Sequence, residues 1–171
     1  MIPLHALALR RSKSWVVMEL DADVRKPDDL RRLVAGAFRA PEDDPPTGAS
    51  PAELAILADR LGQSLPAELR TWLSICQGAA IGPGGVLGQR PDRPHLEMVK
   101  IREIYPQWRA LGRLPIASDG CGNYYVLAKD GTVGFIEPIS DPGTISQRAA
   151  SGLLSFMTDL LAADQSGCPA E

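Results

Sequence analysis

The sequence is poor in the residues from which most active sites are built. Its 171 residues include two histidines, His5 and His95, and three cysteines, Cys76, Cys121 and Cys168. The cysteines are odd in number, widely spaced and never in a C-x-x-C pair, which excludes a disulfide framework and a zinc-finger-type site. Free thiols without a framework suit a reducing cytoplasm. No apolar run approaches the roughly 18–20 residues of a membrane span, so no transmembrane helix is expected. Basic residues are not in excess either: 18 Lys and Arg stand against 21 Asp and Glu, a formal net charge of −3. Phosphate binding is driven by clustered Lys and Arg, so nucleic acid is not the expected direct partner.

Charge is unevenly spread. Residues 1–17 carry +3 through Arg10, Arg11 and Lys13, leaving −6 on the remainder. Residues 89–113 hold six bases against three acids, and residues 114–171 hold seven acids against two bases. In the opening MIPLHALALRR the basic residues follow the apolar run, the reverse of a secretory signal. Met18 opens a more ordinary soluble sequence and is an alternative start of translation.

Apolar residues at helical spacing follow Pro27: Leu30, Leu33, Val34, Ala37 and Phe38 share a stripe, and the helix should stop before Pro41. Residues 41–49, PEDDPPTGA, read as an extended acidic linker. Ser50, Pro51 and Glu53 then form a capping-box start, Leu54, Leu57, Ala58 and Leu61 a buried face, and Gly62 a left-handed stop. A second helix is expected from Pro66 to Gly78, burying Leu69, Trp72, Leu73 and Cys76. The stretch GAAIGPGGVLG at 78–88 matches neither a phosphate-cradling loop nor a dinucleotide fingerprint, and no cofactor is expected. It reads as a turn into a strand near Val86 and Leu87. Met98, Ile101, Ile104, Tyr105 and Trp108 form two short helical turns broken at Pro106.

From Leu114 the period becomes two. Leu114–Ala117, Asn123–Leu127 and Thr132–Ile136 are short strands separated by the turn sequences SDGCG and KDG, a β-meander. Thr144, with Gln147 three residues on, signals the start of a closing helix whose stripe is Ala149, Leu153, Phe156, Met157 and Leu160. The expected organisation is an amino-terminal extension over 1–49, one domain over 50–163 and a frayed tail over 164–171.

Catalytic chemistry finds little purchase. Cys121, between two glycines, is the one candidate nucleophile, and His95 the one candidate base. Asp119 and Asn123 lack the acid count of a calcium loop, whereas aspartate before glycine is common turn chemistry. Trp72 and Trp108 fall on apolar helical faces and belong to the core. Along the second strand Tyr124 and Val126 point one way, Asn123, Tyr125 and Leu127 the other. Two readings remain open: two half-buried sheet tyrosines, or a recognition patch in which an exposed tyrosine lies among Asp119, Asp130 and Glu137.

The order of these features resembles the SMI1/KNR4 (SUKH) superfamily. The likeness rests on Leu65-Pro66 through Leu73, Gln77-Gly78, Trp108, Leu114-Pro115-Ile116-Ala117-Ser118-Asp119-Gly120, Gly122-Asn123-Tyr124, Gly131-Thr132-Val133 and the closing helix with Phe156. It spans about residues 50–162. Relatives commonly carry Asn-Gly where this chain has Gln77-Gly78. The resemblance implies an α+β fold, a mostly antiparallel β-sheet packed against helices. It further implies a noncatalytic immunity protein that binds a cognate toxin domain, often a nuclease, and occludes its surface. Fungal relatives instead imply a regulatory or scaffold module.

Overall fold

The computed structural model describes residues 27–37 and 46–166. Among these residues there are six α-helices and a four-stranded antiparallel sheet: α1 Pro27–Gly36, α2 Pro51–Leu61, α3 Ala67–Leu73, α4 Met98–Ile104, α5 Gln107–Ala110 and α6 Leu153–Ser166. The strands are β1 Leu114–Ser118, β2 Tyr124–Leu127, β3 Val133–Ile136 and β4 Gln147–Ala150, adjacent in chain order. This is the α+β architecture expected, with the meander as its centre.

The start of α2 follows its sequence signals. The Ser50 hydroxyl accepts from the Glu53 N–H, the Glu53 carboxylate accepts from the Ser50 N–H at 2.7 Å, and Gly62 closes the helix at φ 65°. The next helix departs from expectation, ending at Leu73 rather than running to Gly78. A continuing helix would give the Leu73 carbonyl to the Gln77 N–H. That carbonyl instead accepts from the Ala49 N–H at 2.7 Å, while the Gln77 N–H donates to the Thr47 carbonyl at 2.9 Å. Residues 47–49, expected as the end of an extended linker, are therefore docked against the fold. The amino-terminal helix is also integrated: α1 packs on α6, and Leu30 and Val34 join the common core. Phe38 and the PEDDP segment lie outside the described residues, as do Met18 and the basic start.

The largest correction concerns residues 144–152. Thr144 does not cap a helix, because residues 147–150 form β4, which pairs with β3 through Phe135↔Gln147, Gly134↔Arg148 and Val133↔Ala150. The Thr144 hydroxyl is held by Asp141, and the Ser146 N–H donates to the Phe135 carbonyl. Ala149 thus belongs to a strand, while Leu153, Phe156, Met157 and Leu160 line α6 as expected and are fully or almost fully buried. A residue distant in sequence supplies the cap: Glu68 of α3 accepts from the Leu153 N–H at 2.8 Å. Glu68→Ala should lower stability by about 1 kcal/mol, the usual worth of one such bond, and raise amide exchange in the first turn of α6. Unchanged exchange there would show that the cap is not Glu68.

Each sheet face is covered by a different helical layer. Tyr124, on one face, meets the rings of Tyr105 and Trp108, and Tyr125, on the other, meets Phe156 of α6. The outer edge of β1 is covered by the glycine-rich segment, whose Leu87 N–H donates to the Ile116 carbonyl at 2.9 Å while the Ser118 N–H donates to the Gly85 carbonyl at 3.0 Å. Val86 bridges both Ala79 and Ala117, so the expected strand near Val86 and Leu87 is a short edge cover. Trp72 and Trp108 are fully buried. Among the described residues no helix is long and apolar enough to cross a membrane.

Candidate functional site

The five residues singled out as partner contacts are distributed by the meander as follows. Asp119 lies in the β1–β2 turn, where Oδ1 accepts from the Cys121 N–H at 2.8 Å and the Asn123 N–H at 3.1 Å. Its Oδ2 accepts from Asn123 Nδ2 at 2.7 Å. Both oxygens therefore shape the turn, and Gly120 at φ 76° adopts the left-handed conformation it needs. The turn is braced from below by Ser118, whose hydroxyl donates to the Gly84 carbonyl at 2.8 Å. A Cβ on Gly84 would overlap the Gly120 backbone nitrogen, so these two loops touch main chain to main chain.

Register pairs Tyr124 with Ser118 on one side and Ile136 on the other. Asp119 and Glu137 are each one residue beyond those partners, so they flank the same end of the sheet, two strands or about 10 Å apart. Asp130 lies in the β2–β3 turn, at the opposite end of the sheet, where its carboxylate accepts from the Thr132 N–H at 3.0 Å and hydroxyl at 2.7 Å. The single patch expected from sequence is therefore divided.

The tyrosines divide as well. Tyr124 is half-buried, its ring edge-on to Tyr105 at 5.6 Å and Trp108 at 5.7 Å, while Tyr105 stacks on Trp108 at 4.5 Å. Burial, then the neighbouring Tyr105 and Asp119, push its hydroxyl pKa up. Tyr125 is only 7% exposed, wedged between Phe135 at 5.0 Å and Phe156 at 4.8 Å. Burial, with a smaller contribution from Asp119, pushes its pKa up to about 12. Tyr125 is a core residue in this fold, which corrects its expected place in a surface patch.

What the structure adds at the Asp119–Glu137 end is the loop from Glu137 to Ser146. The Glu137 carbonyl accepts from the Ser140 and Asp141 N–H groups, and Asp141 accepts from the Gly143 N–H at 2.7 Å and the Thr144 hydroxyl at 2.5 Å. Trp108 Nε1 donates to the Pro142 carbonyl at 2.6 Å, and Arg113 to the Gly143 carbonyl at 2.6 Å. Ile145 fills the space that a side chain at Gly134 would occupy, so the loop lies over the Tyr124 face of the sheet. Held in this way, it displays Ile139 at 91% exposure. The signal for Ile139 was present in E-P-I-S-D-P-G, an aliphatic residue amid turn formers, and sequence reasoning passed over it.

Several carboxylates are held below their ordinary range. Asp130 is lowered chiefly by the Thr132 hydroxyl, Asp141 by the Thr144 hydroxyl and Glu53 by the Ser50 backbone. A carboxyl with a folded pKa below its unfolded value near 4 contributes stability that is complete above that value. The contribution is lost as pH falls through the folded pKa. The urea midpoint should therefore be level from pH 7 to about 5 and drop on further acidification, with a shallower drop in Asp130→Asn. An identical acid limb in that variant would remove Asp130 from the account.

Cys121 is exposed at the tip of the β1–β2 turn, its N–H committed to Asp119. His95 is exposed in a single 3-10 turn, Pro94–Leu96. No group of three or more His, Cys, Asp or Glu side chains among the described residues is placed to hold a metal ion.

A family model matches residues 48–152, the stretch that holds α2, α3, the glycine-rich edge cover, the braced D-G-C-G-N turn and all four strands. The chain belongs to the SMI1/KNR4 family (SUKH-1). No curated protein matches it. The SMI1/KNR4 segment begins at the docked residues 48–49, covers α2 to β4 and ends just before α6. Both the Asp119–Glu137 end and Ile139 fall inside it. The SMI1/KNR4 family is known for immunity-type proteins and is generally noncatalytic.

Proposed function

We propose that this chain is a noncatalytic cytoplasmic immunity protein that neutralises a cognate toxin domain by covering part of its surface. The observation that carries the reading is the exposed Ile139, flanked on its loop by Glu137 and Asp141, at the end of the sheet that also carries Asp119. The loop bearing Ile139 is already fixed by Trp108 and Arg113, so little conformational entropy is lost when it docks. An aliphatic anchor within acidic surroundings suits a partner with an apolar pocket rimmed by Lys and Arg. A nuclease domain has such a rim, since it must hold phosphate. Acidic side chains then steer association and the anchor slows dissociation.

The test is rescue of growth when the chain is co-expressed with the product of the neighbouring gene, expected to be a toxin. The wild type should rescue; the double variant Ile139→Asp, Glu137→Lys should not, although it folds. Association of the purified pair should also slow several-fold between low and physiological salt. Failure of the wild type to rescue or bind would end the immunity reading, whereas full rescue by the double variant would move the contact elsewhere.

A further inference from the structure

Two guanidinium groups converge on the last turn of α2. Arg102, carried by α4, donates from Nη1 to the Leu61 carbonyl at 2.9 Å and from Nη2 to Gln63 Oε1 at 2.5 Å. It is 5% exposed, and its Nε is buried with no hydrogen-bond partner. Arg109, carried by α5, reaches the same turn, since a Cβ on Gly62 would overlap its Nη2. Arg109 is exposed, and its side chain forms no hydrogen bond or ion pair among the described residues.

Among the described residues no carboxylate pairs with either group. The acids on the same helix and its start are engaged elsewhere, Glu97 with Arg60 at 2.8 Å and Glu103 with Lys100 at 3.2 Å. The carboxy-terminal end of α2 offers about half a negative charge, too little for two cations. Burial and the charge of Arg109 both push the Arg102 pKa down. A buried cation beside a second free cation is costly in a folded protein, and an anion bound at the exposed one offsets the charge of both.

We infer that Arg102 and Arg109 form an oxyanion-binding site at the carboxy-terminal end of α2. Arg109 offers the solvent-facing fork, suited to two parallel bonds to a carboxylate or phosphate. Arg102 supplies fixed positive charge behind it. The occupant is either a carboxylate side chain of a docking protein or free phosphate, and the site stands independently of the toxin reading.

The full-length protein can be titrated with sodium phosphate and, separately, with sodium acetate, ionic strength being held constant with sodium chloride. The readouts are the arginine Nε–Hε resonances and the melting temperature. Phosphate should shift the Arg102 and Arg109 signals saturably and raise the melting temperature. Arg109→Gln should weaken binding about tenfold, the loss expected of one charge-assisted bond, and Arg109→Lys should recover part of it. Saturation by both anions identifies a general oxyanion site open to protein carboxylates, and saturation by phosphate alone identifies a phosphate site. A linear, unsaturable drift, or equal binding by Arg109→Gln, would overturn the assignment.

Discussion

Trp108→Ala lowers the free energy of unfolding by about 3–5 kcal/mol, the range for truncating a large buried aromatic. The size follows from its surroundings. Trp108 is fully buried, stacks on Tyr105, meets Tyr124 edge-on and donates to the Pro142 carbonyl. Removing it opens a cavity under the sheet and leaves the Pro142 carbonyl without its donor. Trp108→Phe retains most of the apolar surface and loses the bond, so it should cost about 1–2 kcal/mol. The comparison is made by urea denaturation followed by far-ultraviolet circular dichroism. A loss below 1 kcal/mol for the alanine variant would mean the aromatic cluster closes without this ring. The variants also separate stability from recognition. Trp108→Phe removes one of the two side-chain bonds from the core to the Ile139 loop, so on the immunity reading toxin affinity should fall by more than the modest stability loss explains.

Glu97 is the second sensitive point. Its carboxylate is 3% exposed, faces Arg60 of α2 at 2.8 Å and accepts the Arg90 N–H. It thereby joins α2 to the segment leading into α4. Glu97→Ala should cost about 3 kcal/mol, the lower end of the range for breaking a buried pair, because Arg60 itself reaches solvent. Glu97→Gln keeps an acceptor for the Arg90 N–H and should cost less than half as much. A double-mutant cycle with Arg60→Met isolates the pair: a coupling near zero would leave the Arg90 bond as the whole effect.

Local signals in the sequence were reliable where local chemistry decides. The Ser50–Glu53 capping box, the Gly62 stop, the Pro106 break and the alternation that separates Tyr124 from Tyr125 all act within a few residues. The failures share a cause. Thr144-x-x-Gln147 has the spacing of a helix start, yet pairing with β3 claims residues 147–150, and the real cap for α6 comes from Glu68, 85 residues away in the chain. Likewise α3 stops early because residues 47–49 take the hydrogen bonds that would extend it. Such competition between distant segments leaves no mark on periodicity. The divided patch was within reach, however: in a meander successive turns lie at opposite ends of the sheet, which separates Asp130 from Asp119 without any coordinates. What the sequence could not reveal was which tyrosine is covered, since that depends on Phe156 reaching one face and Tyr105 and Trp108 the other.

The strip over the outer side of β1 has a consequence for how copies of this chain can associate. Among the described residues it occupies the main-chain donors and acceptors that an incoming strand would need, leaving β4 as the open margin of the sheet. That margin is four residues long, carries Arg148 and is interrupted by a register shift between Val133 and Gly134 of its neighbour, features that discourage strand addition. With one side shut, any such addition closes on itself as a two-fold pair, and an open-ended fibril built by this route has no second surface on which to grow.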